Sequence, residues 1–576
     1  MLAALGFVVR VLFIRYLAND FANVSRDYLW MTPLGYLALF GAVAVPVLLV
    51  TWRLAASRVA WCAAWVFTTL AVFDAFMPIT SIGRFAAFVL AAGAGVVVAR
   101  RAAQHSALVS QVAMVIAGVI AAGLAVGAIL RPGLPAATAD VPAVRAPNVL
   151  LLILDTVRAD ELGTYGYARG TTPNIDAFAQ KSTIFESAMA AAPWTLPSHG
   201  SMFTGRYAAN LSTDYRVPLD RADSTLAEAF ARRGYATVAY VGNVAYASWE
   251  SGLGRGFQAY NDFQRTFEQT VKSTHLGRTD LSNDLFRSTT WRQAAGAVRR
   301  MGLQEVPRPQ LAPNSAEYLT NAFLDWHASR DTLRPFFAFV NFYDAHDPYE
   351  PVEPYRTRFS GPKAKDAKLR DLYDAELAYI DAHIGRLFGE LERRGAFSNT
   401  LVILAADHGE QFGERNTFGH FNSIYMPLLW VPLMFRFDGH VPPGRRVTGE
   451  FSLRDLAATI FDISGASSSP FPGTSLAGLW GTDSAVISSP VVASYSITKK
   501  DSPRTLDNGM LSLVEGGWHY ILTGRKAYEE LFRYRADPVE ATNLVGSDSG
   551  LTRVGKMRQR VYDALERERP AKGPRR

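Results

Sequence analysis

Val149-Leu150-Leu151-Leu152-Ile153-Leu154-Asp155-Thr156 is the stretch on which the reading of the fold turns: six apolar residues in succession run into a carboxylate. A short, unbroken apolar run of this kind is a strand buried on both faces, the pattern of a parallel sheet covered by helices. Two more runs repeat it. Phe336-Phe337-Ala338-Phe339-Val340-Asn341-Phe342 leads to Asp344 and His346, and Leu401-Val402-Ile403-Leu404-Ala405-Ala406 leads to Asp407-His408-Gly409-Glu410. Ala236–Val241 and Val431-Pro432-Leu433-Met434-Phe435 add further strands, with helices predicted at 224–233 and 369–394. The second helix carries apolar residues at helical spacing among charges, which makes it a packing helix. Ligands of such sheets bind beyond the carboxyl ends of the strands, so Asp155, His346 and Asp407-His408 are expected to converge from distant parts of the chain.

Toward the N-terminus the composition changes. The chain of 576 residues is 49% hydrophobic, and much of the excess lies in apolar runs at 2–17, 33–52, 60–77, 84–99 and 109–130. The last four approach the ~20 residues a bilayer-spanning helix needs; Arg10 and Arg15 interrupt the first, which has no small-residue cleavage site after it and reads as a full or partial span rather than a signal peptide. Residues 1–131 are thus expected to form a transmembrane bundle of about five helices. Arg53, Arg58, Arg100 and Arg101 mark the cytoplasmic breaks, which puts everything after the fifth span outside, on an inner or plasma membrane. A Pro/Ala-rich linker at 132–147 leads to a main α/β domain at 148–480, followed by a small C-terminal subdomain and basic tail at 481–576. The single cysteine, Cys62, excludes a disulfide framework. A net charge of +7 suits anionic substrates or an anionic membrane surface; the cations are scattered without interleaved aromatics, which argues against nucleic acid.

The motifs and their order resemble the sulfatase and alkaline phosphatase superfamily over about residues 148–545. Asp155-Thr156-Val157-Arg158-Ala159-Asp160 is similar to its opening metal-ligand motif, Thr172-Pro173-Asn174-Ile175-Asp176 to the turn that follows, and Asp407-His408-Gly409-Glu410 to its second ligand pair. Trp518-His519-Tyr520-Ile521, Glu530-Leu531-Phe532 and Ala536-Asp537-Pro538-Val539-Glu540 resemble the end of its small C-terminal domain. In Trp194-Thr195-Leu196-Pro197-Ser198-His199-Gly200-Ser201-Met202-Phe203-Thr204-Gly205 the resemblance places Thr195 where sulfatases carry the Cys or Ser that is oxidised to formylglycine, with His199 in place of their Arg. The fold implied is an alkaline phosphatase-like α/β/α sandwich. Membrane helices ahead of such a domain look most like lipoteichoic acid synthases and phosphoethanolamine transferases, which also use threonine. Two departures stand out: Thr156 replaces the second of the paired acids usual in sulfatases, and Asp155 stands where the synthases and transferases have Glu.

On this resemblance Asp155, Thr195, Asp407 and His408 are the metal ligands. Carboxylates with an imidazole suit Zn²⁺ or Mn²⁺ better than Ca²⁺ or Mg²⁺, which prefer oxygen alone. Thr195 is the expected nucleophile, activated by the metal, with its helix start adding positive potential beside the substrate's oxygens. His346 and His420 are expected to bind the anion, protonate the leaving oxygen or hold a second metal; His199 and Arg158 are expected to contact the substrate, or else to orient the loop and form a salt bridge. The function expected is cleavage or transfer of a phosphate ester, on a lipid or envelope glycan. The rivals are a sulfatase acting without formylglycine and a non-catalytic membrane scaffold.

Overall fold

The computed structural model describes residues 2–12, 14, 27–77, 83–105, 111, 146–215, 217–264, 270–271, 273–274, 314–359, 369–420, 423–466, 468–481, 490–496, 509–524 and 528–568. The run that ends at Asp155 is strand β1 (Asn148–Leu154), buried along its whole length. With β2 (Thr183–Phe185), β3 (Ala236–Val241), β4 (Ala259–Asn261), β5 (Phe336–Phe342), β6 (Thr400–Ala406), β7 (Leu433–Arg436) and β8 (Arg446–Val447) it builds one sheet in the order β8-β2-β7-β6-β1-β5-β3-β4. Strands β6, β1, β5, β3 and β4 are parallel. Leu154 lies level with both Phe342 and Ala406, and Val241 is level with Asn341. The register therefore delivers Asp155, Asn243 and Asp407 to one edge.

Strand β7 departs from the parallel expectation: it pairs antiparallel with β6 and β2. Between Ala406 and Leu433 the described residues form only short elements and no long crossover helix, so β7 returns against β6 rather than alongside it. Pro432 also divides the predicted run. Trp430–Val431 pairs with Ala188–Met189 in a separate small sheet, and the break falls at the residue that has no N–H to give.

The helix Leu369–Arg393 packs as predicted, burying Tyr373, Leu377, Ile380, Ile384, Leu387 and Leu391. Leu226–Arg232 begins in a capping box in which Thr225 and Glu228 exchange side-chain and backbone bonds. After these, β9 (Val491–Ser496), β10 (Gly509–Glu515), β11 (Trp518–Thr523) and β12 (Tyr528–Phe532) form an antiparallel sheet. Leu513, Tyr520, Leu522 and Leu531 share a core there with Val554, Met557 and Val561 of the helix Asp548–Arg567. At the sheet's edge, Ser494 N donates to Ala191 O at 3.0 Å, just ahead of the segment that carries Thr195.

A second compact unit consists of Met1–Gly133 with Phe263–Leu311. Three of its helices are long and apolar enough to cross a membrane: Tyr28–Thr51, Ser57–Phe76 and Arg84–Gln104. The helix Leu2–Leu12, at 11 residues, spans only about 16 Å, short of the ~30 Å of a bilayer core. The run expected at 109–130 lies, apart from Gln111, outside the described residues, as does most of the linker. Asp74, the acid within the helix Ser57–Phe76, is buried and accepts a hydrogen bond from Tyr36, as a carboxylate in an apolar helix must. Of this unit's second segment, the described residues Thr270, Val271, Ser273 and Thr274 group with the apolar helices. The contact is specific: Thr32 Oγ1 donates to Ser273 O at 2.9 Å, and a side chain on Gly35 would meet the carbonyl of Thr270.

Candidate active site

Thr195 opens the ten-residue helix Thr195–Thr204, every residue of which is buried. Trp194 caps it in an extended conformation, Pro197 sits in the first turn where its missing N–H costs nothing, and Gly205 ends it with φ +70°. Ser198 Oγ donates to Asp407 O at 2.6 Å, which ties the helix to the end of β6.

Asp155, Asp407 and His408 are fully buried, and their donor atoms lie within 4.8 Å of one another. His408 Nδ1 is 2.9 Å from the carbonyl of Gly409, which can only accept, so Nδ1 carries the proton and Nε2 keeps its lone pair. That Nε2 lies 3.5 Å from Thr195 Oγ1 and 3.6 Å from Asp407 Oδ2. Each carboxylate is held by one oxygen. Asp407 Oδ1 accepts from the backbone N–H groups of Thr156 and His408, at 3.1 and 2.9 Å. Asp155 Oδ2 accepts from Asn243 and Asn341, at 2.9 and 3.3 Å. Among the described residues the other oxygens, Asp155 Oδ1 and Asp407 Oδ2, have no hydrogen-bond partner. Burial raises the Asp155 carboxyl, with the charge of Asp407 adding to it, and burial pushes Asp407 up to about 7. Two buried carboxylates with unsatisfied oxygens and an imidazole lone pair are a donor set that fits a divalent cation, which would offset the cost of burying them.

Thr156, at the position of the second acid in the resembling family, has φ +59°. Its Oγ1 is bonded to the carbonyls of Asp155 and Ala345 at 2.7 and 2.9 Å, and its contribution to the site is the N–H that holds Asp407. A β-branched residue in this conformation costs about 1–3 kcal/mol, which the surrounding bonds must sustain.

Asn243 is the residue the sequence reading missed. Its Nδ2 donates to Asp155 Oδ2 at 2.9 Å and to Thr195 Oγ1 at 3.1 Å, and its own N–H is held by Asn341 Oδ1. One amide thus fixes the Asp155 carboxylate and the Thr195 hydroxyl together. Its signal was its place two residues beyond β3, at the carboxyl edge of the sheet. Asn243→Ala is expected to lower kcat about 100-fold, the scale of a misplaced reacting group, with bound metal and KM little changed. Activity within threefold of wild type would rule this role out.

Three of the histidines lie together. The His420 ring is 4.7 Å from His408 and 5.0 Å from both His346 and Trp194, measured between centroids. Burial pushes the His420 and His408 imidazoles down to about 3. His420 Nδ1 faces the carboxylate of Glu410 at 3.2 Å, which also accepts from Tyr349. His346, half-buried and stacked on Tyr343, gives its Nδ1 proton to Asp347 O and leaves Nε2 without a partner among the described residues.

His199 and Arg158 stand differently from the expectation that they touch substrate. His199 is fully buried among Phe203 and Phe339, with Nδ1 bonded to Thr195 O one turn back and 3.6 Å from Asp407 Oδ2. That is a position for orienting the helix. The Arg158 guanidinium, 3% exposed, is committed to Asp160 and Glu414, both at 2.6 Å, and to the carbonyl of Glu410. Its donors are spent on an internal ion-pair cluster.

A model of the family described as Sulfatase matches residues 147–466. An arylsulfatase of Clostridium perfringens (strain 13 / Type A) is 23% identical over 494 residues, spanning 73% of this chain and 94% of its own length. A choline-sulfatase of Rhizobium meliloti (strain 1021) is 24% identical over 485 residues, spanning 74% and 90%. Among solved structures, the phosphonate monoester hydrolase of Agrobacterium radiobacter shares the fold with a TM-score of 0.56 at 21% identity, over 73% of this chain and 96% of that one.

Proposed function

The chain belongs to the sulfatase family, and on that premise we propose that it is a membrane-bound, metal-dependent enzyme that cleaves or transfers a phosphate-ester group through a covalent intermediate on Thr195. The observation that carries this reading is the side chain at position 195. Oxidation of Cys or Ser there would give an aldehyde, whereas oxidation of Thr would give a ketone, so Thr195 acts as an unmodified hydroxyl. Its oxygen gives up its proton to solvent and forms the bond to phosphorus as the bond from phosphorus to the substrate's alcohol oxygen breaks, and that oxygen leaves with a proton from His346 or His420 that solvent replaces. Attack on the phosphothreonine by water, or by an envelope hydroxyl, releases the group and returns the hydroxyl of Thr195.

Asp155, Asp407 and His408, with Thr195, would hold the ion, Zn²⁺ or Mn²⁺ by their mixed oxygen and nitrogen donors. A divalent cation there supplies positive charge that lowers the pKa of the threonine hydroxyl and offsets the charge of the substrate's oxygens. Asn243 keeps the Thr195 oxygen aimed, while His199 and Ser198 fix the helix that carries it. The sulfatase names of its relatives favour a second reading, hydrolysis of a sulfate ester without formylglycine.

Mass spectrometry of protein quenched during turnover of an alkyl phosphate diester separates the two. The added alkyl phosphoryl group is expected on the peptide from Trp194 to Arg206, at Thr195. An adduct on another residue, or turnover confined to aryl sulfates, would refute the phosphate reading. The placement of Arg53, Arg58, Arg100 and Arg101, together with the further apolar run expected at 109–130, supports an extracytoplasmic catalytic domain. A reporter fused after Arg131 is expected to be active only as an exported protein and one fused near Ser57 only as a cytoplasmic protein; the reverse pattern would overturn this topology.

A further inference from the structure

The motif that ends in Glu540 has no part in the mechanism, yet Glu540 has φ +57°, a left-handed conformation that a non-glycine residue keeps only where its surroundings impose it. Arg415 donates to its carbonyl, and its own N–H is bonded to Asp537 O at 3.0 Å. The side chain is fully buried: Oε1 lies 2.6 Å from His519 Nδ1, and Oε2 accepts from the N–H of Met426 at 3.0 Å. A carboxylate only accepts, so Nδ1 of His519 carries the proton. Alternation along the antiparallel sheet explains why these groups meet. Leu513, Tyr520, Leu522 and Leu531 share a core with the helix Asp548–Arg567, so Val514, His519, Ile521 and Glu530 point the other way, where Tyr425 Oη donates to Glu530 at 3.0 Å.

Met426 opens the short turn Met426–Leu429, which touches both halves of the candidate site. Gly409 N donates to Leu428 O at 2.9 Å, and the packing is so close that a side chain on Gly409 would meet the carbonyl of Pro427. The carbonyl of the same Gly409 receives the Nδ1 proton of His408. At the far end of the turn, Leu429 O accepts from Ala190 N at 2.8 Å, in the segment that leads to Thr195. We propose that Glu540, by bridging His519 and Met426, is a positioning residue for the metal site: it fixes the turn, the turn fixes Gly409, and Gly409 aims the Nε2 lone pair of His408. The proposal rests on the reading of Asp155, Asp407 and His408 as metal ligands, and it adds a control exerted on them from the antiparallel sheet.

Two measurements on the full-length protein in detergent test this. The first is Zn²⁺ affinity by competition with a chromogenic chelator, the binding that His408→Ala removes being that of the site. Glu540→Ala is expected to weaken it about tenfold, the lower end of the range for losing a partner outside the ligand shell. Glu540→Asp, too short to span both partners, is expected to move the same way and keeps the test open should Glu540→Ala fail to fold. Glu540→Gln is expected to retain the affinity, because its amide can accept from Met426 and donate to the other tautomer of His519. The second measurement is hydrogen exchange in the metal-free protein, where the peptide carrying Gly409 is expected to exchange faster in Glu540→Ala and Glu540→Asp than in wild type. Val561→Ala, which opens a cavity on the opposite face of the sheet, is expected to lower the unfolding temperature and leave both readouts unchanged. Affinity within about threefold of wild type in the folded Ala or Asp variant, an equal loss in Val561→Ala, or a Gln variant as weak as the Ala variant would overturn the proposal. If wild type binds no Zn²⁺ that His408→Ala removes, the metal reading falls by itself; exchange at Gly409 then still decides whether Glu540 holds the turn, and unchanged exchange refutes that.

Discussion

Thr195→Ala is expected to abolish turnover, a fall on the order of 10⁵–10⁶ in kcat as for removal of a catalytic nucleophile, while leaving the fold and most of the bound metal intact. On the proposed mechanism the lost atom is the attacking oxygen. It is also only one of several donors, since Asp155, Asp407 and His408 keep theirs, and the helix that carries it is held through Ser198, His199 and the Gly205 cap. Thr195→Ser should retain measurable activity, because it supplies the same hydroxyl without the methyl group that restricts its rotamer. Steady-state rates with a phosphate diester, alongside metal analysis of the same preparations, decide the matter. An active Thr195→Ala enzyme would leave the fold and remove the mechanism.

Loss of a metal ion from the proposed site is expected to be the second large effect. His408→Ala, or chelation of the wild type, is expected to lower activity by more than about 100-fold, since that is already the upper range for losing partners one step further out from a metal. His408→Ala is the cleaner substitution. Asp407→Ala removes in addition the acceptor for two backbone N–H groups, those of Thr156 and His408, and is expected to lower stability as well as metal content. Restoring Zn²⁺ or Mn²⁺ to the chelated wild type should recover its rate; full activity in the presence of a strong chelator would refute the site.

Asp155, Asp407 and His408 were legible because each follows an apolar run that reads as a buried strand, and parallel strands present their ends to one edge. Thr195 was legible from the motif around it, and the packing helix 369–394 from its period. Asn243 was not, because an amide two residues past a strand carries no charge or metal-ligand signal, and its partners lie 48 and 88 residues away. Arg158 looked like an anion ligand for the same reason: its partner Glu414 is 256 residues distant. The reversal of β7 depends on what lies between two strands, which an apolar run by itself does not encode. The contact of Thr32 with Ser273 spans 241 residues and has no local signal either.

Thr195 and His408 are 213 residues apart. At about 5–20 residues per second, the interval between their emergence from the ribosome is on the order of 10–40 s. Throughout it the nascent chain carries a threonine that is chemically ordinary, with neither Asp407 nor His408 yet made and no completed sheet edge to bring Asn243 against it. On the proposed mechanism the hydroxyl becomes reactive only when the end of β6 docks beside that of β1. Assembly of the sheet thus works, on that mechanism, as a delay built into synthesis, before the end of which Thr195 cannot act as a nucleophile.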